Sequence, residues 1–134
     1  MREIKFRAWD KIDKKMYDNV GLSLIGVKVY KDPDHQPPEE IILDRGRGCF
    51  ELMQFTGLTD KNGREIYEGD IVKFMNEEPN KMMFYRVEWN EKEARFSVVI
   101  EHIEYGKYFG KIDEILENLE VIGNIYENPD LTKP

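Results

Sequence analysis

The sequence predicts a small, mostly-β protein: a barrel or a pair of packed antiparallel sheets with one short α-helix. Three observations point there. Short runs of apolar and β-branched residues alternate with polar ones. Turn-forming Gly, Asn, Asp and Pro recur between those runs. Only residues 111–119 carry the spacing of a helical face. Strands this short, with turns this close, fit a barrel or packed sheets better than alternating β and α units.

The chain opens with Ile4, Phe6 and Ala8 alternating with Lys5, Arg7 and Trp9, the period of a half-buried strand. Asp10 to Lys15 is polar and predicts a turn. From Met16 to Tyr30, Val, Leu, Ile and Tyr are spaced by Gly21 and Gly26, which break any helix. Residues 31–40 concentrate Pro33, Pro37 and Pro38 among acidic side chains and predict an exposed, irregular loop. Gly46-Arg47-Gly48 marks another turn, and a strand from Phe50 to Phe55 should end near Thr56.

Asp60-Lys61-Asn62-Gly63 predicts a hairpin, because Asn-Gly tolerates the positive φ angles of tight turns. Glu68-Gly69-Asp70 predicts a second sharp bend leading into Ile71-Val72-Lys73-Phe74. The run Gly69 to Phe74 also resembles the opening strand of SH3-like barrels. Phe84 to Glu88 and Arg95 to Tyr105 read as strands joined by the polar link Asn90 to Glu93. Ile112, Ile115, Leu116 and Leu119 form the face of one amphipathic helix. A last strand runs from Val121 to Tyr126. The sequence presents neither an internal repeat nor a low-complexity segment.

A chain of 134 residues suits one domain, 1–134, with 1–56 as an N-terminal β region and 57–134 as a barrel-like region. A single cysteine, Cys49, excludes an internal disulfide and fits a reducing compartment. The first ten residues lack the apolar stretch of a secretory signal. Apolar runs such as Ile41-Ile42-Leu43 and Val98-Val99-Ile100 fall far short of the roughly twenty residues that span a bilayer. A cytoplasmic protein with no membrane segment is expected.

The formal net charge of -7 disfavours a protein that coats phosphate backbones. The charge is uneven. Residues 1–16 hold six basic side chains against three acids, a local +3, and residues 111–134 hold two against six, a local -4. That asymmetry is either a docking face or two ordinary solvated surfaces.

The chemistry-bearing residues are sparse. His35 and His102 share no metal-ligand spacing with each other or with Cys49. Cys49, near Arg45 and Arg47, reads as a packing residue rather than a nucleophile. Neither a G-x-S-x-G elbow nor a Walker-type loop occurs. Asp60-Lys61-Asn62-Gly63 begins like a calcium loop, but its glycine comes too early and no acid closes it. Gly46-x-Gly48 lacks the third glycine of a dinucleotide loop.

Glu65, Glu68 and Asp70 cluster around Tyr67, where carboxylates could serve acid-base chemistry or hold magnesium. The competing reading is that they bond backbone amides at a bend. Trp9, Tyr17, Tyr67, Tyr85, Trp89, Tyr105 and Tyr108 offer either stacking platforms or core and cross-strand pairs.

Three blocks together resemble the YopX family of phage and prophage proteins: Arg2 to Asp10 (REIKFRAWD), Met53 to Val72 (MQFTGLTDKNGREIYEGDIV) and Glu120 to Pro129 (EVIGNIYENP). Their order and spacing span nearly the whole chain, while residues 16–52 and 75–119 carry little of the likeness. Phe55 stands where Tyr is equally expected. The resemblance implies a mostly-β protein encoded by a phage or prophage and acting in a bacterial cytoplasm. It carries over no catalytic residue.

The candidate interaction residues are Arg7, Trp9, Tyr67, Glu68 and Asp70. No catalytic residue, metal ligand or cofactor is assigned. The leading expectation is a non-enzymatic interaction or self-assembling accessory module whose partner is a phage protein, a host protein or a copy of itself. Changes at Trp9 or in residues 32–40 are then expected to weaken capture and leave the melting temperature nearly unchanged. The alternative is a nucleic-acid-associated module or small nucleic-acid-processing enzyme. It draws on the basic N-terminal segment, the aromatics and the acids around Tyr67.

Overall fold

The computed structural model describes residues 3–23, 26–30, 40–42, 50–76, 81–102 and 106–132. The proline-rich segment up to residue 39, His35, Arg45, Cys49, the Gly46-Arg47-Gly48 turn and Tyr105 lie outside the described residues, as do the side chains of His102 and Tyr108. The fold is mostly β, with two antiparallel sheets, one of them a half-barrel, and very little helix. Two compact units divide the chain, Met1–Phe55 and Thr56–Pro134.

The first unit places β1 (Phe6–Asp10) between β2 (Lys15–Ser23) and the opening of β5 (Phe50–Thr59), with β3 (Gly26–Tyr30) and β4 (Glu40–Ile42) following β2 outward. Period-two alternation makes β1 a strand, but this strand is buried on both faces. Arg7, Ala8, Trp9 and Asp10 are all buried. Ala8 packs with Tyr17, Val20, Phe50 and Leu52.

β5 extends past the predicted end near Thr56. Gly57 adopts φ 87° inside the strand, and the Thr56 hydroxyl donates to the Ile66 carbonyl at 2.7 Å while accepting the Leu58 N–H. Gly57 is thus absorbed as an irregularity within the strand, and β5 continues to pair with β6 (Glu65–Tyr67).

In the second unit the strand order is β10 (Gly106–Lys111), β9 (Arg95–His102), β8 (Lys81–Asn90), β7 (Asp70–Asn76), β11 (Glu120–Asn124). Its core holds Ile66, Val72, Val87, Val98, Ile112, Leu119 and Val121, each at most 4% exposed. Ile112, Ile115, Leu116 and Leu119 do face this core, as their spacing predicts. The helix itself, α1 (Ile112–Ile115), lasts one turn and tightens into a 3-10 turn at Leu116–Asn118. No helix among the described residues is long and apolar enough to cross a membrane.

Two hairpins are built alike, a repeat that inspection of the sequence misses. Trp9-Asp-Lys-Ile-Asp-Lys-Lys-Met16 and Trp89-Asn-Glu-Lys-Glu-Ala-Arg-Phe96 share one pattern. The Asp10 and Asn90 side-chain oxygens each accept the N–H groups two and three residues on. Lys14 and Ala94 each take a positive φ, 56° and 52°. The registers match too: Trp9 faces Met16 and Trp89 faces Phe96. The resemblance lies in turn chemistry and polarity, with Trp alone kept at each start, so residue-by-residue comparison passes over it.

Candidate functional site

The second and third distinctive blocks meet in the second unit as a junction of three turns. The first turn is the hairpin after β5. Gly63 supplies φ 80°, its N–H donates to the Asp60 carbonyl, and Asp60 is 6% exposed. One carboxylate oxygen of Asp60 accepts the N–H groups of Asn62 and Arg64, each at 2.9 Å. The other accepts the Val121 N–H on β11 at 2.9 Å. Lys61 N–H adds a backbone bond to the Leu119 carbonyl. Burial by itself would raise the Asp60 pKa, yet the three amide bonds and nearby Arg64 hold it below the ordinary aspartate value.

The second turn is Glu68-Gly69. Gly69 takes φ 85°, donates its N–H to the Val87 carbonyl at 2.8 Å and accepts the Ile125 N–H at 2.9 Å. Asp70, 1% exposed, accepts the Tyr67 N–H at 2.8 Å. The third turn follows β11. The Asn124 side chain accepts the N–H groups of Tyr126 and Glu127, and the Asn128 side chain accepts that of Asn124. A Cβ at position 123 would meet the Asn128 side-chain oxygen at 2.3 Å, so any larger residue there must displace the Asn128 side chain. Outside this polar knot, Glu120 is bracketed by Lys73 at 3.1 Å and Lys61 at 3.6 Å. Its pKa is lowered, chiefly by the Lys73 hydrogen bond.

Of the predicted interaction residues, Tyr67, Glu68 and Asp70 come together in the second turn, with Tyr67 and Asp70 buried and Glu68 half-buried. Arg7 and Trp9 belong to the first unit and point to one side of β1, two residues apart. Arg7 is 7% and Trp9 8% exposed. Burial revises the expectation that Trp9 can be changed without a stability cost: removing so large a side chain from a packed strand lowers the melting temperature. The bend reading of the acid cluster describes Asp70, whose carboxylate bonds a local amide. The core reading of the aromatics fits Trp9, Tyr67 and Tyr85, the last packed against the core with its pKa raised by burial.

Sequence reasoning missed Asp60 as the hub, although an Asp opening an Asn-Gly turn is a signal for amide capture. It did not single out Phe84 and Phe109, which are 36% and 48% exposed, and Trp89, for which both the platform and the core readings stood, is 44% exposed. Among the described residues no three His, Cys, Asp or Glu side chains gather as metal ligands do.

The family described as YopX protein matches residues 5–133. Among solved structures, protein EF1440 from Enterococcus faecalis is similar over 99% of this chain and 100% of that one, with 29% identity and a TM-score of 0.65. Protein yopX from Bacillus subtilis is similar in fold, with 23% identity and a TM-score of 0.59 over 100% of this chain and 98% of that one. No curated protein matches the chain.

Proposed function

This chain belongs to the YopX family, and from that premise we propose that it is a phage- or prophage-encoded accessory protein that binds a partner protein, or further copies of itself, in the cytoplasm of a bacterial host. The use of the polar residues in the distinctive blocks supports a binding role over a catalytic one. Thr56, Asp60, Asp70, Asn124 and Asn128 each direct a side-chain oxygen at a backbone amide within four residues. A carboxylate committed to amides it must keep in order to fold is poorly placed to shuttle protons. The exposed aromatics Phe84, Trp89 and Phe109 supply the kind of side chain that protein interfaces enrich.

The test is a tagged pull-down from host lysate with and without nuclease, read by mass spectrometry against a tag-only control. A nuclease-resistant protein partner, or the chain's own untagged copies, is the expected result. Partners that vanish with nuclease, or nucleic acid recovered alone, would replace this reading with the nucleic-acid one. In that case Lys5, stacked over Phe55, and Lys15, stacked over Tyr17, become the residues to change.

A further inference from the structure

We propose that Asn62 is a site of spontaneous deamidation and that the turn held by Asp60 sets its rate. The chain contains one Asn-Gly step, Asn62-Gly63, in the hairpin that closes on Asp60. Both residues are exposed, and a Cβ built at Gly63 would meet nothing within 4 Å. Asparagine is one of the thermally labile side chains. Water reaches this one, and the glycine that follows has no side chain to shield its peptide nitrogen.

The reaction is an attack by the backbone on the side chain. The Gly63 nitrogen gives its proton to hydroxide and bonds to Asn62 Cγ. The Cγ–Nδ2 bond breaks, and Nδ2 takes up a proton and leaves as ammonia. Water then opens the cyclic imide at either of its carbonyls, giving aspartate or an isoaspartate whose main chain runs through the former side-chain carbon. The balance is water taken up and ammonia released, with no change of oxidation state.

In the folded turn the attacking atom is engaged. Gly63 N–H donates to the Asp60 carbonyl at 3.0 Å, which opposes both loss of its proton and its rotation toward Cγ. The amides before and after it, Asn62 N–H and Arg64 N–H, are held by one Asp60 carboxylate oxygen at 2.9 Å each. The other oxygen ties the turn to the Val121 N–H on β11. Attack therefore requires the turn to open, and opening costs these bonds. The products carry the change back to Asp60. Either one puts a negative charge two residues from its carboxylate, which raises the Asp60 pKa. Isoaspartate also inserts an extra backbone atom between the two amides that Asp60 bridges.

The test incubates the full chain at mildly alkaline pH, native and unfolded in guanidinium. Digestion and mass spectrometry follow the amide-to-acid mass gain and the isoaspartate at position 62. The native chain should react about tenfold or more slowly than the unfolded one. Asp60→Asn, which keeps one acceptor oxygen, should bring the native rate several-fold closer to its own unfolded rate. Exchange of the Gly63 amide proton needs the same opening, so it supplies a second reading if Asp60→Asn folds poorly. In wild type that proton should be protected to a degree that matches the slowed deamidation. The proposal falls if the native chain gains no acid at position 62, or if native and unfolded chains react alike. It falls equally if Asp60→Asn leaves the ratio of native to unfolded rates unchanged, or if the Gly63 amide exchanges without protection.

Discussion

One carboxylate oxygen of Asp60 accepts the backbone N–H of Val121 at 2.9 Å, joining a hairpin turn to a strand 61 residues further along the chain. The other oxygen orders the turn itself. One side chain thus closes a local loop and fixes the return of β11 at the same time.

Asp60→Ala strands the amides of Asn62, Arg64 and Val121, and buried donors without acceptors are costly. Chemical unfolding should show a loss of about 2–4 kcal/mol. Asp60→Asn keeps one acceptor oxygen and should lie between wild type and Asp60→Ala. Equal midpoints for all three proteins would show that the contact carries no stability.

The same carboxylate makes stability depend on pH. Its folded pKa lies below the ordinary value of 3.8. The stability it contributes is therefore fully present above that value and is lost as the pH falls through the lower, folded pKa. Urea midpoints should drop more steeply in wild type than in Asp60→Asn once the pH is below about 4. Glu120 acts in the same direction, from a lowered pKa. Added salt should weaken its share first, because its lysine pairs are solvent-exposed. Parallel acid profiles for wild type and Asp60→Asn would contradict the assignment.

Gly123 and Asn128 should be coupled. A methyl group at position 123 collides with the Asn128 side chain, which itself accepts the Asn124 amide. Gly123→Ala should cost about 1–3 kcal/mol in wild type and clearly less in an Asn128→Ala background. A double-mutant cycle with an interaction energy near zero would remove the steric explanation.

Lys14 and Ala94 hold φ angles of 56° and 52° at matching places in the two similar hairpins. Side chains disfavour that region by about 1–2 kcal/mol, and glycine loses part of that gain through its freer unfolded state. Ala94→Gly and Lys14→Gly should each raise stability by about 0.5 kcal/mol, read as a higher melting temperature. A drop in both would mean that the side chains contribute packing beyond the backbone geometry.

Much of the strand and turn pattern was legible because turn chemistry is local. Gly63 and Gly69 adopt the positive φ that their turns require, and Asn90 begins its link by binding amides two and three residues away. The helical face at Ile112, Ile115, Leu116 and Leu119 was legible as well. Its length was not, because β10 keeps pairing with β9 as far as Lys111 and leaves room for a single turn.

The candidate site was legible only in part. Tyr67, Glu68 and Asp70 adjoin in sequence, so a turn unites them; Asp60 reads from the sequence only as the start of a hairpin turn and of a calcium loop that fails on spacing, because the bond that makes it a hub runs to an amide on a distant strand.

By itself the sequence determined the β class, the places where the chain turns and the family, since each rests on residues within a few positions of one another. The tertiary structure alone decided that Arg7 and Trp9 are buried, that Trp89 in the matching hairpin is exposed, and that Gly57 lies inside a strand rather than at its end. Burial and long-range hydrogen bonding depend on which segments the folded chain brings together, and neither local pattern nor residue type encodes that choice.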